Sequence, residues 1–384
     1  MICKSKFFNA KNLIRNSSLH FSTNDSKPIL FEYPHKDICD VYLNRPKALN
    51  SLSLELLELL NQEVTKWNER DSEVKLTIFQ GKGTQAFSSG RDVKSIYQYK
   101  DKPDEEKYPF IERFVRTELT TEYNLSQMKP IQLSLWNGIT MGGGLGISVH
   151  SEIRIATENT LAAMPVAAIG YFADDGGSYF LSRMKKNLGF YLGLMGARLK
   201  GADAVRAGAA NYFIKSEKLE SYVKEIRAQT GRITLENLLD ISSSYSEKVD
   251  NTFPHEDEIG DLLAGNDFKV IYERLQRKSE SSPVAKDMLE KLKRQSPLSV
   301  MIIFEQLRRA RDLSLEECYV NDFVLGQHVV RKGDFFEGVR ATLVNREVPP
   351  NWKYKSVLDI SKEDVEEFFK PMPGLTPLRL NQTN

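Results

Sequence analysis

The chain has 384 residues, of which 41% are hydrophobic, and its 53 basic residues nearly balance its 52 acidic residues, for a net charge of +1. A chain of this length buries a full core and forms one large domain or two packed domains. The balanced charge excludes a strong overall field that would favour nucleic acid or a membrane surface. Since no apolar run reaches the roughly 20 residues of a membrane-spanning helix, we expect no membrane partner.

Residues 1–24, MICKSKFFNAKNLIRNSSLHFSTN, differ in composition from the rest of the chain. They contain basic residues and serines, and no acidic residue precedes Asp25. This composition is typical of a mitochondrial transit peptide, and a disordered basic tail is the alternative. We expect the segment to direct the chain to the mitochondrial matrix. Loss of its four cations would change the net charge from +1 to −3.

Residues 25–215 alternate predicted strands and helices. The stretch DICDVYLN, residues 37–44, alternates its side chains with a period of two and predicts a strand. Ser53 is the expected N-cap of the helix that follows. The stretches EVKLTIFQG and IQLSLW repeat the strand pattern at residues 73–81 and 131–136. These strand–turn–helix repeats indicate an α/β core with crossover connections.

Residues 216–384 are expected to form a mostly helical C-terminal region that packs on this core. Charged residues dominate residues 216–293, where strand patterns are few, and residues 279–283 are a predicted loop. Residues 291–311 are predicted to form one amphipathic helix with a solvated face. Its Arg308 and Arg309 are candidates for a local contact with phosphate.

Two glycine-containing turns are candidates for an anion-binding catalytic site. The first is AFSSGRDV at 86–93, and the second is NGITMGGGLG at 137–146, where Gly142 to Gly144 separate a strand from a helix start. Backbone amides in such turns point outward and stabilise an anion. Two of them converging on one oxygen would form an oxyanion hole. Close packing of backbone is the alternative explanation for the glycines.

The stretch MPVAAIGYFADDGG at 164–177 combines an apolar run with Asp174 and Asp175. Because neighbouring side chains of an extended segment point to opposite faces, only one of these carboxylates is expected to face the pocket. The five histidines lack metal-binding spacing, so no metal is expected, and His150 is interpreted as a structural helix residue. The three cysteines are too far apart in sequence for a CxxC pair and are expected to be reduced thiols.

Four stretches together resemble the crotonase (enoyl-CoA hydratase/isomerase) superfamily, and within it the 3-hydroxyisobutyryl-CoA hydrolase branch. They are LNRPKALNSL at 43–52, FSSGRDV at 87–93, WNGITMGGGLGISVH at 136–150 and MPVAAIGYFADDGGSYFLSRM at 164–184. GDFFEGVRATLVNREVPPNW at 333–352 also resembles that branch, so the likeness covers about residues 31–369. The resemblance implies a crotonase-type spiral of ββα units with a helical C-terminal region.

The resemblance also implies the roles of particular residues. The amides of Arg91 and Gly143 would form the oxyanion hole for the thioester carbonyl of an acyl-CoA, and Glu118 and Asp174 would bind and orient the substrate. In this branch a catalytic glutamate follows the Met-Pro pair, and Val166 occupies that position. Arg91 stands where the branch usually has a small residue, so its side chain would fill the acyl pocket or pair with Asp174 or Asp175.

Three functions follow from these residues. The first is a disabled hydrolase-like protein with a structural role, because similar proteins occur in the mitochondrial small ribosomal subunit. Its expected partners are proteins of that subunit, with local rRNA contact. The second is an active 3-hydroxyisobutyryl-CoA hydrolase of valine breakdown, in which Asp174, Asp175 or Glu118 replaces the glutamate. The third is a non-catalytic acyl-CoA binder. Acyl-CoA would be substrate or ligand, and no resident cofactor is expected.

Overall fold

The computed structural model describes residues 27–380 of the chain. Its main hydrophobic core extends from Ile29 near the start of this range to Leu380 at its end. The α/β part and the C-terminal helices therefore share one core. The predicted transit peptide, residues 1–24, lies outside the described residues. No helix between residues 27 and 380 has the length and apolar character needed to cross a membrane.

The larger sheet contains six strands in the order β1-β2-β3-β5-β7-β10. These are β1 (Ile29–His35), β2 (Ile38–Leu43), β3 (Leu76–Gly81), β5 (Ile131–Trp136), β7 (Ile153–Ala156) and β10 (Tyr212–Phe213). Strands β1 and β2 pair antiparallel, and the other neighbours pair parallel. The parallel pairs confirm the crossover connections expected from the alternating pattern.

A smaller sheet contains four strands in the order β4-β6-β8-β9 and carries the candidate turns. Its members are β4 (Ala86–Ser88), β6 (Ile139–Met141), β8 (Leu161–Ala163) and β9 (Arg198–Lys200). Strands β4, β6 and β8 run parallel, so the turns that follow them emerge at the same edge. This placement brings together segments that are far apart in sequence.

Seven helices follow these strands in residues 27–215. They are α1 (Leu54–Trp67), α2 (Val93–Tyr97), α3 (Asp104–Ser126), α4 (Gly143–Gly146), α5 (Gly177–Ser182), α6 (Leu188–Met195) and α7 (Asp203–Arg206). The predicted cap is confirmed, because the Ser53 side chain accepts a hydrogen bond from the Leu56 amide at the start of α1. Helix α3 crosses the core and supplies acidic side chains to the candidate site.

Helices dominate the region from residue 216 to residue 380. Its helices are α8 (Leu219–Arg227), α9 (Leu235–Tyr245), α10 (Glu256–Leu262), α11 (Phe268–Lys278), α12 (Pro283–Leu292), α13 (Pro297–Ala310), α14 (Leu315–Lys332), α15 (Phe335–Val339) and α16 (Lys362–Glu366). The predicted loop at 279–283 lies between α11 and α12, with Pro283 as the first residue of α12.

The prediction of one continuous helix over residues 291–311 is wrong. Helix α12 ends at Leu292, and α13 begins at Pro297. Proline lacks the amide hydrogen that a helix interior requires, whereas it is tolerated at the first helical position. Ser296 caps the new helix by accepting a hydrogen bond from the Ser299 amide. The chain therefore turns between two separate helices.

Candidate active site

The first glycine-containing turn follows β4 and is fixed by backbone hydrogen bonds to the segment before α1. Gly90 has a φ of +88°, in the region that favours glycine. The Leu52 amide donates to the Gly90 carbonyl at 2.9 Å, and the Asp92 amide donates to the Leu52 carbonyl at 2.9 Å. The intervening Arg91 amide has no hydrogen-bond acceptor among residues 27–380.

The second turn follows β6 and meets the first. A Cβ added at Gly90 would lie 3.0 Å from the Gly143 nitrogen, and one added at Gly143 would lie 3.4 Å from the Arg91 nitrogen. Within the described part of the chain, the Gly143 amide also lacks a hydrogen-bond acceptor. The two predicted oxyanion-hole amides are thus brought together with free N–H groups, as an anion site requires.

The Arg91 side chain occupies the space beside these amides. Its side chain is only 5% exposed, and Nε donates a very short hydrogen bond to Glu118 in the middle of α3. Nη2 donates to Asp174 at 2.6 Å and to Asp175 at 3.0 Å, both in the segment that precedes α5. The pairing expected from the sequence is therefore present, and one guanidinium contacts three buried carboxylates.

The expectation that only one of the adjacent aspartates would face the pocket is wrong. Asp175 has a φ of +60°, which lies in the left-handed region and departs from an extended backbone. This conformation turns the Asp175 side chain to the same side as that of Asp174, so that both carboxylates contact Arg91. Aspartate tolerates left-handed geometry better than most residues.

Val166 begins a short 3-10 turn, Val166–Ile169, after β8. It is 7% exposed and belongs to the main hydrophobic core, so the position contributes only apolar surface. The Val166 carbonyl accepts a hydrogen bond from the Tyr171 amide, and the Tyr171 ring lies 5.2 Å from the Arg91 guanidinium carbon. Val166 is therefore connected to the buried charges through Tyr171.

Glu122 is a fourth buried carboxylate that the sequence analysis did not select. It lies on α3 one helical turn after Glu118, and both of its carboxylate oxygens lack a partner in residues 27–380. The i, i+4 spacing of Glu118 and Glu122 places them on one helix face and was a usable signal in the sequence. We name Arg91, Glu118, Glu122, Asp174 and Asp175 the acid cluster.

Burial dominates the electrostatics of the acid cluster. It raises the pKa of Glu118 to about 7, with Asp174 adding to the rise and Arg91 opposing it. Burial and neighbouring carboxylates also raise the pKa values of Glu122 and Asp175 well above their ordinary range. Burial would lower the pKa of Arg91, but its carboxylate partners raise it well above the ordinary value. The cluster therefore combines one fixed cation with acids that retain protons.

Three carboxylates of the acid cluster are close enough to share a cation. Ligand oxygens of Glu118, Glu122 and Asp175 lie within 4.8 Å of one another. Carboxylate oxygens are ligands that Mg²⁺ and Ca²⁺ prefer. The Arg91 guanidinium already contacts Glu118 and Asp175, so it supplies positive charge at this place.

The C-terminal helices hold the aspartate segment through buried hydrogen bonds. Gln306 on α13 donates to the Ala173 carbonyl at 2.9 Å and to Asp322 on α14 at 2.7 Å. Ser178 on α5 also donates to Asp322, at 3.1 Å. Sequence patterns gave no indication of this link, because its residues are far apart along the chain.

His150 lies in a turn after the four-residue α4, and not in a helix as expected. Its ring packs against Tyr179 with a centroid separation of 6.0 Å, and burial lowers its pKa to about 4. The ring is therefore neutral at physiological pH.

Three surface cavities lie apart from the acid cluster. One has a volume of about 410 Å³ and the other two about 360 Å³ each, and Arg91, Gly143 and Val166 line none of them. The chemistry that the two free amides offer is stabilisation of an anion. The buried Arg91 side chain and its carboxylate partners occupy space beside these amides.

Comparison with known proteins supports the fold and the motifs. A family model described as Enoyl-CoA hydratase/isomerase matches residues 38–369. The chain belongs to this family. It is 38% identical to the mitochondrial 3-hydroxyisobutyryl-CoA hydrolase of Dictyostelium discoideum over 96% of this chain and 98% of that protein. It is 35% identical to the human protein of the same name over 86% of both chains.

Solved structures of enoyl-CoA hydratase/isomerase type share the architecture. A carnitinyl-CoA dehydratase from Mycobacterium thermoresistibile has a TM-score of 0.82 and 26% identity, over 92% of this chain and 99% of that chain. An enoyl-CoA hydratase from Rhodobacter sphaeroides has a TM-score of 0.80 and 26% identity, over 90% and 98%. The predicted crotonase-type fold is thereby confirmed.

Proposed function

We propose that this chain is a non-catalytic member of the enoyl-CoA hydratase/isomerase family that serves as a structural component of the mitochondrial small ribosomal subunit. The observation that carries the proposal is the buried Arg91 side chain, which contacts the carboxylates of Glu118, Asp174 and Asp175 beside the two free amides. A preserved fold around a filled pocket supports a role for the surface of the molecule.

The chemistry of Val166 supports the same conclusion. An isopropyl group neither attacks a carbonyl nor transfers a proton, so it supplies neither nucleophile nor general base. The aspartates cannot easily take over, because both are paired with Arg91. Oxyanion-hole amides stabilise charge but do not activate water, and they act only on a carbonyl that reaches them.

Mitochondrial location is supported by two independent features. Relatives that match most of the chain are named mitochondrial, including those of Dictyostelium discoideum, chicken (Gallus gallus) and human. The predicted transit peptide has the basic, acid-poor composition that drives import. We propose the matrix as the compartment, where the small ribosomal subunit is assembled.

Import is tested with residues 1–30 fused to a fluorescent reporter. The fusion is expected to enter mitochondria, because the cations at residues 4, 6, 11 and 15 are attracted by the potential across the inner membrane. Replacement of these four cations by Gln is the matched control and should leave the reporter in the cytosol. Equal distribution of both fusions in the cytosol would contradict the localisation.

Docking should occur mainly on proteins. Without the leader the net charge is −3, which does not favour broad contact with RNA phosphates. The predicted phosphate contacts Arg308 and Arg309 pair with Glu305 at 2.9 Å and 2.6 Å. Arg309 also pairs with Glu366 at 2.5 Å. RNA contact at these arginines would require exchange of these ion pairs.

Sedimentation of a mitochondrial lysate tests the structural role. The chain is expected to migrate with small-subunit rRNA in a low-salt gradient. It should move to lighter fractions when ribonuclease digests the rRNA and the particles fall apart. A mitochondrial matrix enzyme of similar mass is the control and should stay in the light fractions throughout. Recovery of this chain only in the light fractions, beside that control, would refute the ribosomal assignment.

An active hydrolase is the second candidate, and Glu118 is the observation that favours it. A pKa of about 7 suits a general base at neutral pH, and Oε1 has no partner among the described residues. A Cβ added at Gly143 would lie 2.8 Å from this oxygen, so it adjoins the free amides. This candidate requires 3-hydroxyisobutyryl-CoA hydrolysis that Glu118→Gln abolishes and Glu105→Gln, at the exposed start of α3, leaves unchanged.

A further inference from the structure

A cationic cavity lies apart from the acid cluster. It has a volume of about 410 Å³ and is lined by Arg154, Arg183, Lys185 and Arg206 together with Asn251 and several apolar and small residues. No aspartate or glutamate lines it. Arg154 lies on β7, Arg206 ends α7, and the other two follow α5. These elements therefore direct four cations toward one concave space.

Arg154 is the most constrained of these cations. Its Nε donates to the Ala209 carbonyl at 2.7 Å, and its Nη1 donates to the Ser151 carbonyl. Burial lowers its pKa to about 10, and the charge of Glu152 opposes this shift without a direct ion pair to Arg154 in residues 27–380. The group stays protonated at neutral pH, so this half-buried charge is compensated only through space by Glu152. Such a charge is costly unless an anion compensates it.

Arg183 presents a second guanidinium without a carboxylate partner in the described range. Its Nη1 donates to the Ala310 carbonyl at 2.9 Å, and its Nη2 donates to the Leu313 carbonyl at 2.6 Å. The Tyr179 ring lies 3.8 Å from its guanidinium carbon. These contacts fix the position of the side chain, while carbonyl groups neutralise its charge only in part.

The other two cations already have partners outside the lining of the cavity. Lys185 pairs with Glu256 at 2.8 Å, and Arg206 pairs with Asp203 at 2.8 Å and with Asp250 at 2.7 Å. Their charges are therefore partly compensated. The unbalanced charge belongs to Arg154 and Arg183.

We propose that the cationic cavity binds a phosphate group. Guanidinium groups bind phosphate oxygens with strong, directional hydrogen bonds, and the Nη2 group of Arg154 has no acceptor among residues 27–380. Arg183 adds a fixed positive charge, because its Nη groups already donate to four backbone carbonyls. Lys185 adds a flexible ammonium at the same space. The volume of about 410 Å³ accommodates a phosphate with the first atoms of the group that carries it. The site shares no lining residue with the acid cluster and does not depend on the function proposed above.

Calorimetric titration of the full chain with inorganic phosphate tests the site, with ionic strength held constant by chloride. Wild type is expected to bind phosphate, and Lys185→Gln to bind it about tenfold more weakly, since a hydrogen bond to a charged group is lost. Lys186→Gln is the matched control: it removes the same charge from the next residue, which pairs with Asp257 and does not line the cavity. It should bind phosphate like wild type.

Arg154→Gln should abolish phosphate binding. If that variant does not fold, Lys185→Gln and Arg206→Gln still test the site, because their side chains lie nearer the surface and their replacement should leave the fold intact. Competition by a nucleoside monophosphate supports a small phosphorylated ligand, and competition by a short single-stranded RNA supports a backbone phosphate. No binding of phosphate by wild type, or equal weakening by Lys185→Gln and Lys186→Gln, would overturn the proposal.

Discussion

Arg91 determines the character of the site at the scale of single residues. Its side chain takes the space beside the two free amides and compensates part of the charge of three carboxylates. Removal of one partner from a buried ion pair typically costs about 3–5 kcal/mol, because the other charge remains buried. The side chain that fills the pocket therefore also stabilises the fold around it.

Glu118 should make the stability of the chain depend on pH. Its pKa is raised from 4.5 to about 7, so between these values the folded chain holds a proton that the unfolded chain releases. The folded state then binds more protons, and this contribution to the free energy of unfolding falls as pH rises through the window.

Urea unfolding across this window measures the effect. Glu118→Gln keeps an acceptor for Arg91 but cannot ionise, so the free energy of unfolding should gain about 1–3 kcal/mol relative to wild type between the lower and the upper end of the window. The control Glu105→Gln, with the same charge change at an exposed position on α3, should follow wild type. Parallel pH profiles for wild type and Glu118→Gln would contradict the raised pKa.

Features of single residues could be predicted from the sequence where a short local motif determines them. The amides of Arg91 and Gly143, the ion pairs of Arg91 and the cap at Ser53 depend on short motifs. The shared direction of Asp174 and Asp175 depends on one left-handed φ angle at Asp175, which the residue type permits but does not require. The pKa of Glu118 is raised because the folded chain buries its carboxyl group. That burial depends on residues far apart in sequence, so no local pattern predicts it.

At the scale of elements, α15 fixes the turn that carries Val166. A Cβ added at Gly338 on α15 would lie 2.2 Å from the Ile169 carbonyl carbon, and one added at Gly170 would lie 2.3 Å from the Asp334 carbonyl oxygen. The two backbones thus approach so closely that only glycine fits at these positions. The C-terminal region therefore determines the position of Val166.

Gly338→Ala should lower the free energy of unfolding by about 1–3 kcal/mol, because the added methyl group collides with backbone that cannot easily move. Gly193→Ala on α6 is the control, since its nearest neighbours are side-chain methyl groups at 3.3 Å and 3.4 Å. Alanine also favours a helix more than glycine does, so that variant should be near neutral or slightly stabilising. Equal stability of Gly338→Ala and wild type in urea would contradict the close approach.

The elements that sequence patterns predicted well are those with a simple period, such as β2, β3 and β5. The break between α12 and α13 lies in the polar residues 293–296, and the proline that follows them marks a helix start. The link between Asp322 and the aspartate segment has no local pattern at all. Tertiary contacts of this kind become visible only when the packing of the C-terminal helices is known.

At the scale of the whole molecule, the α/β part and the C-terminal helices form one folding unit. The Tyr171 ring packs against Phe335 with centroids 5.2 Å apart, and Tyr123 packs against Tyr319 at 5.8 Å. The division at residue 215 predicted from composition thus separates a mixed strand-and-helix part from a helical part, and both contribute to the main hydrophobic core.

A fragment of residues 27–215 should therefore fail to fold alone. Removal of the C-terminal helices exposes aromatic rings and leaves Ser178 without Asp322, so the fragment lacks both apolar burial and polar partners. Far-UV circular dichroism during urea titration should show one cooperative transition for residues 27–380 and none for the fragment. A cooperative transition of the fragment, at a similar midpoint, would contradict the shared core.

With Arg91 buried among the carboxylates and Val166 in place of a glutamate, the chain should not be catalytic, and hydrolysis of 3-hydroxyisobutyryl-CoA by the purified chain tests this most directly. Release of free CoA thiol is measured for wild type and for the double variant Arg91→Gly with Val166→Glu. We expect wild type to show no enzymatic turnover, and the double variant to gain activity because its pocket is open and contains a carboxylate. Turnover by wild type in the ordinary enzyme range of about 1–1,000 per second would contradict the account.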